Sequence, residues 1–244
     1  MGYLVYCILR NREHHGPRIP PGVGGEPVFL VANRGLCAAV SRTPQVKLVA
    51  DIPRLVAYRK VVESLHRKPT VSGMIPMRYG CLFEEKDQII ELLEKRRGQY
   101  EELLDALEGS VEMGIRILIE EPEMTARPSR AGGTEPRTTT PGRTFLNVRK
   151  AHYARQEKGA ATAEVISRRC LAAFNGLFIK SKAEDHPKAA GTSTLFSLYF
   201  LVPEHSVELF RHRFRDFCRR EQAKVLLSGP WPPYNFVVPE TENR

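Results

Sequence analysis

The chain has 244 residues, 42% hydrophobic and 27% charged, with a formal net charge of +9. That length suits one large domain or two small ones, and that balance excludes a disordered or fibrous chain. No apolar run approaches the roughly 18 residues that a membrane-spanning helix needs, so no membrane partner is expected.

The first element is "YLVYCIL" at residues 3–9. No basic region precedes it, so it reads as a buried strand and not as a signal peptide. A Gly/Pro-rich loop runs from His15 to Pro27, and its "GVGGEP" precedes a strand. A phosphate-binding loop needs its glycines between a strand and a helix N-terminus, so this loop is not one. "VFLVA" and "GLCAAVS" flank Asn33-Arg34 as a hairpin. Residues 51–67 predict a helix, capped by Asp51 with Pro53 in its first turn. Leu55, Tyr58, Val62 and Leu65 form its apolar stripe.

"TVSGMIPMRYGCLF" (70–83) is strand-like but broken by Gly73, Pro76 and Gly80. Residues 84–109 predict the strongest helix, opened by acidic residues, ended by Gly109 and bent at Gly98. "VEMGIRILI" (111–119) alternates strictly and predicts a half-buried strand. Residues 121–143 are rich in Pro, Gly, Ser and Thr, and read as a linker that cannot bury enough surface to offset its ordering entropy. Beyond it come a long helix from about Phe145 to Leu177, a strand at 193–202, a helix at 204–221 and a strand at 223–229. The stripe of the 204–221 helix is Val207, Phe210, Phe214 and Phe217.

This order predicts an α+β protein of two domains. Residues 1–121 form a ferredoxin-like domain with its helices on one face of an antiparallel or mixed sheet. Residues 122–144 are the flexible linker. Residues 145–244 form a second α+β domain with the long helix. Charge divides unevenly: 17 Lys and Arg against 16 Asp and Glu in residues 1–121, four against two in 122–144, and 16 against 10 in 145–244. An electrostatic partner is therefore met by the second half.

No nucleophile–base pair, zinc spacing or cofactor motif is present, so the reading assigns no catalytic, cofactor-binding or metal-binding residue. Cys7, Cys37, Cys81, Cys170 and Cys218 are scattered and read as buried free thiols. The 204–221 helix carries Arg211, Arg213, Arg215, Arg219 and Arg220. This is either a solvated face opposite the Phe stripe or a surface for phosphate or an acidic protein. Arg211, Arg215 and Arg219 are the candidate partner-binding residues.

The chain closes on "GPWPPYNFV", which holds the only Trp, Trp231. Proline stiffens this backbone and removes its donors. The segment is either an exposed ligand for an aromatic groove or a clasp laid on the protein's own core. The clasp predicts a mostly buried Trp231 near Phe210–Phe217 or the 193–202 strand. Arg78, in "PMRYG", is expected to be at least half buried and bonded to a carboxylate or to carbonyls, holding the turn at Gly80.

"LLSGPWPPYNFV", "MIPMRYGCLF", "VVESLHR" and "VEMGIRIL" occur in the order found in the GvpL/GvpF family of gas vesicle proteins, which the chain resembles everywhere but in the linker. On this resemblance Pro76, Arg78, Gly80, Gly229, Pro230, Trp231, Pro232, Pro233 and Tyr234 make up the structural motifs. It implies a cytoplasmic, non-enzymatic assembly factor or minor component of gas vesicles. Its partners would be the hydrophobic shell protein and other accessory proteins. The alternative is a nucleic-acid-binding module using the basic C-terminal half.

Overall fold

Residues 3–9 are apolar at nearly every position, and a strand apolar on both sides must be covered on both. The computed structural model, which describes residues 2–11, 19–44, 49–120, 162, 164–186, 193–221 and 224–237, bears this out. Strand β1 (Gly2–Asn11) lies inside a sheet of order β2-β3-β1-β4. Its partners β3 (Leu36–Thr43), β4 (Val71–Pro76) and β5 (Leu82–Phe83) all run antiparallel to it. The hairpin strand β2 (Val28–Asn33) pairs with β3. A bulge in β1 between Val5 and Cys7 resets the alternation. Leu4, Tyr6, Cys7 and Leu9 therefore share one face, and Val5 and Ile8 the other.

Helix α1 (Ile52–His66) covers the first face with Tyr58, Val61, Val62 and Leu65. Helices α2 (Lys86–Lys95) and α3 (Arg97–Leu107) cover the second with Ile89, Leu93, Tyr100, Leu104 and Leu107. Each such side chain contributes about 1.5–3 kcal/mol through burial. The α+β class holds. The helices lie on both faces, however, and so depart from the one-faced, ferredoxin-like arrangement expected from the sequence.

Asp51 caps α1 as expected, accepting from Arg54 N at 2.9 Å. The predicted single helix over 84–109 is two, broken at Arg96 and not bent at Gly98. A straight rod of that length, roughly 39 Å, cannot follow a twisted sheet of short strands, so the helix restarts to stay on it. The turn at Val23–Gly25 serves the core: Val23 N donates to the Tyr6 hydroxyl, which also bonds Ser41 Oγ, both at 2.9 Å.

His66 closes α1, with its Nε2 buried and unpartnered among the described residues. Burial first, and the adjacent Arg67 charge second, pull its pKa down to about 4. The fold therefore favours the neutral imidazole. This stabilisation is complete above the ordinary pKa of about 6.5 and is lost as pH falls towards 4. Denaturant midpoints should drop across that window, and His66→Gln should flatten the drop. An acid limb that this substitution leaves unchanged would contradict the assignment.

The second sheet has the order β7-β8-β6-β9, with β6 Ser110–Glu120, β7 Lys180–His186, β8 Ser193–Pro203 and β9 Lys224–Trp231. Helix α4 covers residues 164–173, and α5 is Val207–Arg220. Phe174 stacks on Phe210 at 4.3 Å between ring centroids and lies 6.0 Å from Phe217. On the predicted stripe of α5, Val207, Phe210 and Phe217 are buried and Phe214 is half-buried. Cys170 is buried beside these rings, and burial pushes its thiol up to about 12. The predicted linker 122–144 and the predicted helix before residue 162 lie outside the described residues.

The chain divides into two compact units, and neither is continuous in sequence. One gathers Met1–Met113, Phe200–Val207 and Ser228–Arg244; the other gathers Gly114–Tyr199 and Glu208–Leu227. The sequence reading instead places the whole C-terminal segment with residues 145–244. The difference arises because the residues after Gly229 bond and pack onto the N-terminal core.

Candidate functional site: an interaction surface on the first helix

Two segments far apart in sequence meet on α1. The first is the turn between β4 and β5. Pro76, buried, ends β4. Met77 N donates to Tyr6 O at 2.9 Å, Cys81 N donates to Arg78 O at 3.3 Å, and Val5 N donates to Cys81 O at 2.9 Å. Gly80 closes the turn at φ 90°, a left-handed conformation that glycine adopts without cost. The chain thus leaves β1 opposite the bulge and returns as β5.

Inside this turn sits Tyr58 of α1. Its ring stacks on Tyr6 at 4.9 Å and meets the edge of Tyr79 at 5.3 Å. Its hydroxyl lies 2.8 Å from Met77 O and slightly further from Tyr6 O and Val5 O. It has one proton, and the shortest contact takes it. Burial raises the Tyr58 pKa, keeping it a donor. Tyr79 donates its own hydroxyl to Val49 O at 3.0 Å, fixing the approach to α1.

Arg78 is exposed, which corrects the expectation of a half-buried, bonded side chain. The reason is local: backbone bonds and Gly80 already hold the turn, leaving nothing for the guanidinium to hold.

The second segment joins the end of β9 to residues 232–237. Gly229 has φ 110°, and a Cβ there would stand 2.6 Å from Glu112 O. The Gly229–Pro230 peptide bond is cis. Pro230 is exposed, while Pro232 and Pro233 are buried. Asn235 then donates through both its backbone N (2.8 Å) and its Nδ2 (2.7 Å) to the buried carboxylate of Glu112. Tyr234 packs on the α1 side of the core, and Phe236 and Val237 on the α2–α3 side.

Trp231 is half-buried, with the Arg59 guanidinium 5.4 Å from its ring centroid. The segment is thus a clasp, but on the first unit. Trp231 lies against Arg59 of α1, and it is less buried than expected. The deep anchors are the prolines and the Asn235–Glu112 pair. Trp231→Ala should therefore cost about 1–2 kcal/mol, below the roughly 3–5 kcal/mol of a core aromatic. Iodide should quench its emission in part. Full protection from iodide together with a core-sized loss of stability would contradict this placement.

Beside Trp231, α1 presents an apolar surface to solvent. Val49 is 63% exposed, Ile52 77%, Leu55 40% and Val56 37%. Leu55, assigned to the core stripe from the sequence, is 40% exposed and belongs here instead: it is in phase with Tyr58, Val62 and Leu65 but sits one turn nearer the start of the helix. The sequence reading missed Ile52 and Val56, although their i, i+4 spacing is a second stripe on the same helix. Charges rim this surface. Arg54 pairs with Asp51 at 2.9 Å, and Arg59 and Arg67 both pair with Glu63, at 3.0 and 3.6 Å.

The arginines of α5 are exposed or partly so, and two of the five pair with carboxylates of the helix. Arg211 pairs with Glu208 at 2.6 Å, and Arg219 with Asp216 at 3.3 Å. Arg213 donates to Ala173 O at 3.1 Å, while Arg215 is exposed. Among the described residues, no three His, Cys, Asp or Glu are grouped to hold a metal ion.

The chain has recognisable relatives. The profile of the family described as "Gas vesicle synthesis protein GvpL/GvpF" matches residues 2–238. The chain is 26% identical to gas vesicle protein F of Streptomyces sp. (strain CB03234), over 97% of this chain and 100% of that protein. It is 24% identical to gas vesicle protein L of the same strain, over 96% of this chain and 91% of that protein. Its fold resembles the crystal structure of GvpF from Anabaena sp. PCC7120, with a TM-score of 0.76 at 15% identity over 98% and 97% of the two chains. The GvpF structure from Microcystis aeruginosa gives a TM-score of 0.72 at 16% identity, over 97% and 99%. The chain belongs to the GvpL/GvpF family of gas vesicle proteins.

Proposed function

We propose that this protein is a cytoplasmic, non-enzymatic assembly factor that binds the hydrophobic gas vesicle shell protein or other accessory proteins while vesicles form. Membership of the GvpL/GvpF family ties it to gas vesicle formation. The observation that carries the finer reading is the exposed apolar surface at Val49, just before α1, and at Ile52, Leu55 and Val56 on that capped helix. Exposed apolar patches mark interaction sites, and a shell subunit with a large apolar face aggregates unless a soluble partner covers it. The arginines of α5, Arg211, Arg215 and Arg219 among them, are secondary to this reading, because Arg211 and Arg219 already pair with carboxylates of their own helix.

The test is co-expression with the shell protein and the other gas vesicle accessory proteins, and then capture of this chain. We expect at least one gas vesicle protein to be retained, with little loss from about 0.05 to 0.5 M salt. Retention of none would contradict the reading. Nucleic acid that co-purifies and is lost steeply with salt would favour the nucleic-acid alternative instead.

A further inference from the structure

Three features converge on the outer face of α1. The first is composition: four of the large exposed hydrophobics fall between residues 49 and 56. Ile52, Leu55, Val56 and Arg59 keep the i, i+3, i+4, i+7 spacing of one helical ridge, and Trp231 lies under Arg59 at its end. The ridge is roughly 10 Å long, about two turns.

The second is rigidity. The Val49 carbonyl is held by Tyr79, the helix N-terminus by the Asp51 cap, and the helix body by Tyr58. Side chains displayed on a pinned backbone lose little further entropy when a partner covers them. Trp, Tyr and Arg are also the residue types that dominate binding energy at interfaces.

The third is charge. Along α1 and its caps stand Arg54, Arg59, Lys60 and Arg67, four cations, against Asp51 and Glu63. Lys60, one turn beyond Val56, is exposed with no carboxylate partner among the described residues. A complementary partner is therefore apolar along its centre and acidic along its edges. A helix fits better than a strand, because α1 offers a ridge of side chains and no free backbone edge.

We propose that the outer face of α1, from Ile52 to Arg59, together with Val49 just before it and Trp231, docks an amphipathic helix of a gas vesicle protein whose apolar stripe is flanked by carboxylates. This rests on the proposed function, that the chain binds gas vesicle proteins.

The test uses the full chain in the same co-expression capture, comparing wild type with Ile52→Glu/Val56→Glu, Lys60→Glu and the control Leu209→Glu. All four residues are exposed, so denaturation midpoints should be unchanged. The double variant should retain about tenfold less of the captured gas vesicle protein, and Lys60→Glu about threefold less. The control, on α5, should retain it all. In the wild-type complex the single Trp231 should lose its accessibility to iodide.

Equal capture by the double variant overturns the α1 site while leaving the binding function standing. Failure of wild type to capture any gas vesicle protein overturns both. Capture unaffected by Lys60→Glu overturns the acidic-edged partner. A dimer of the free wild type that the double variant dissociates makes a second copy of this chain the occupant, and overturns the proposal equally.

Discussion

Gly229→Ala is expected to lower the stability of the fold by roughly 3–5 kcal/mol. Two independent causes add. At φ 110° an L side chain is strained wherever it points. The new Cβ would also stand 2.6 Å from Glu112 O, a backbone atom on a central strand that cannot move aside cheaply. Either the strand shifts or the segment lifts off. Lifting it separates the Glu112 carboxylate from the two donors of Asn235 while the carboxylate stays buried. Urea unfolding monitored by circular dichroism measures the loss. An unchanged midpoint would mean that the segment can re-route past Gly229 and is not a clasp.

The second large effect is expected at Tyr58. Tyr58→Ala removes a buried ring that touches Tyr6 and Tyr79, and should cost about 3–5 kcal/mol. Tyr58→Phe keeps the ring and deletes only the hydroxyl that bonds Met77 O, so it should cost about 1–2 kcal/mol. The ratio separates packing from hydrogen bonding. Equal losses for the two variants would make the hydroxyl the dominant contribution and contradict the stacked-ring account. The loss should also loosen Val49, because Tyr79 holds that carbonyl and itself leans on Tyr58.

Much of the local structure is legible in the sequence, because it depends on neighbours along the chain. The buried first strand is signalled by an unbroken apolar run, the hairpin by two such runs about a tight turn, and the start of α1 by Asp51 and Pro53. The two-faced covering of the first sheet runs against the one-faced arrangement expected, although its signal was present: residues 3–9 are apolar on both sides, and that calls for helices above and below. The break at Arg96 was not legible. Ile89, Leu93, Tyr100, Leu104 and Leu107 stay in phase as if on one helix, and only the twist of the sheet beneath them demands a restart.

The candidate site was legible in its parts and not in its assembly. Both turn-forming segments stand out for their Gly, Pro and aromatic residues. Their convergence on α1 rests on pairs such as Asn235 with Glu112, 123 residues apart, and Trp231 with Arg59. No local periodicity encodes such distances. Arg78 was misread for a related reason: a charged residue in a turn motif suggests a side-chain tether, whereas backbone bonds and Gly80 suffice.

Hydrogen–deuterium exchange on the free chain, and on its complex with the gas vesicle protein it captures, tests the central claim most directly. Amides at 49–60 and around Trp231 should gain protection in the complex, while those of α5 change little. Protection confined to α5, with α1 exchanging as in the free chain, would contradict the assignment of α1 as the docking surface.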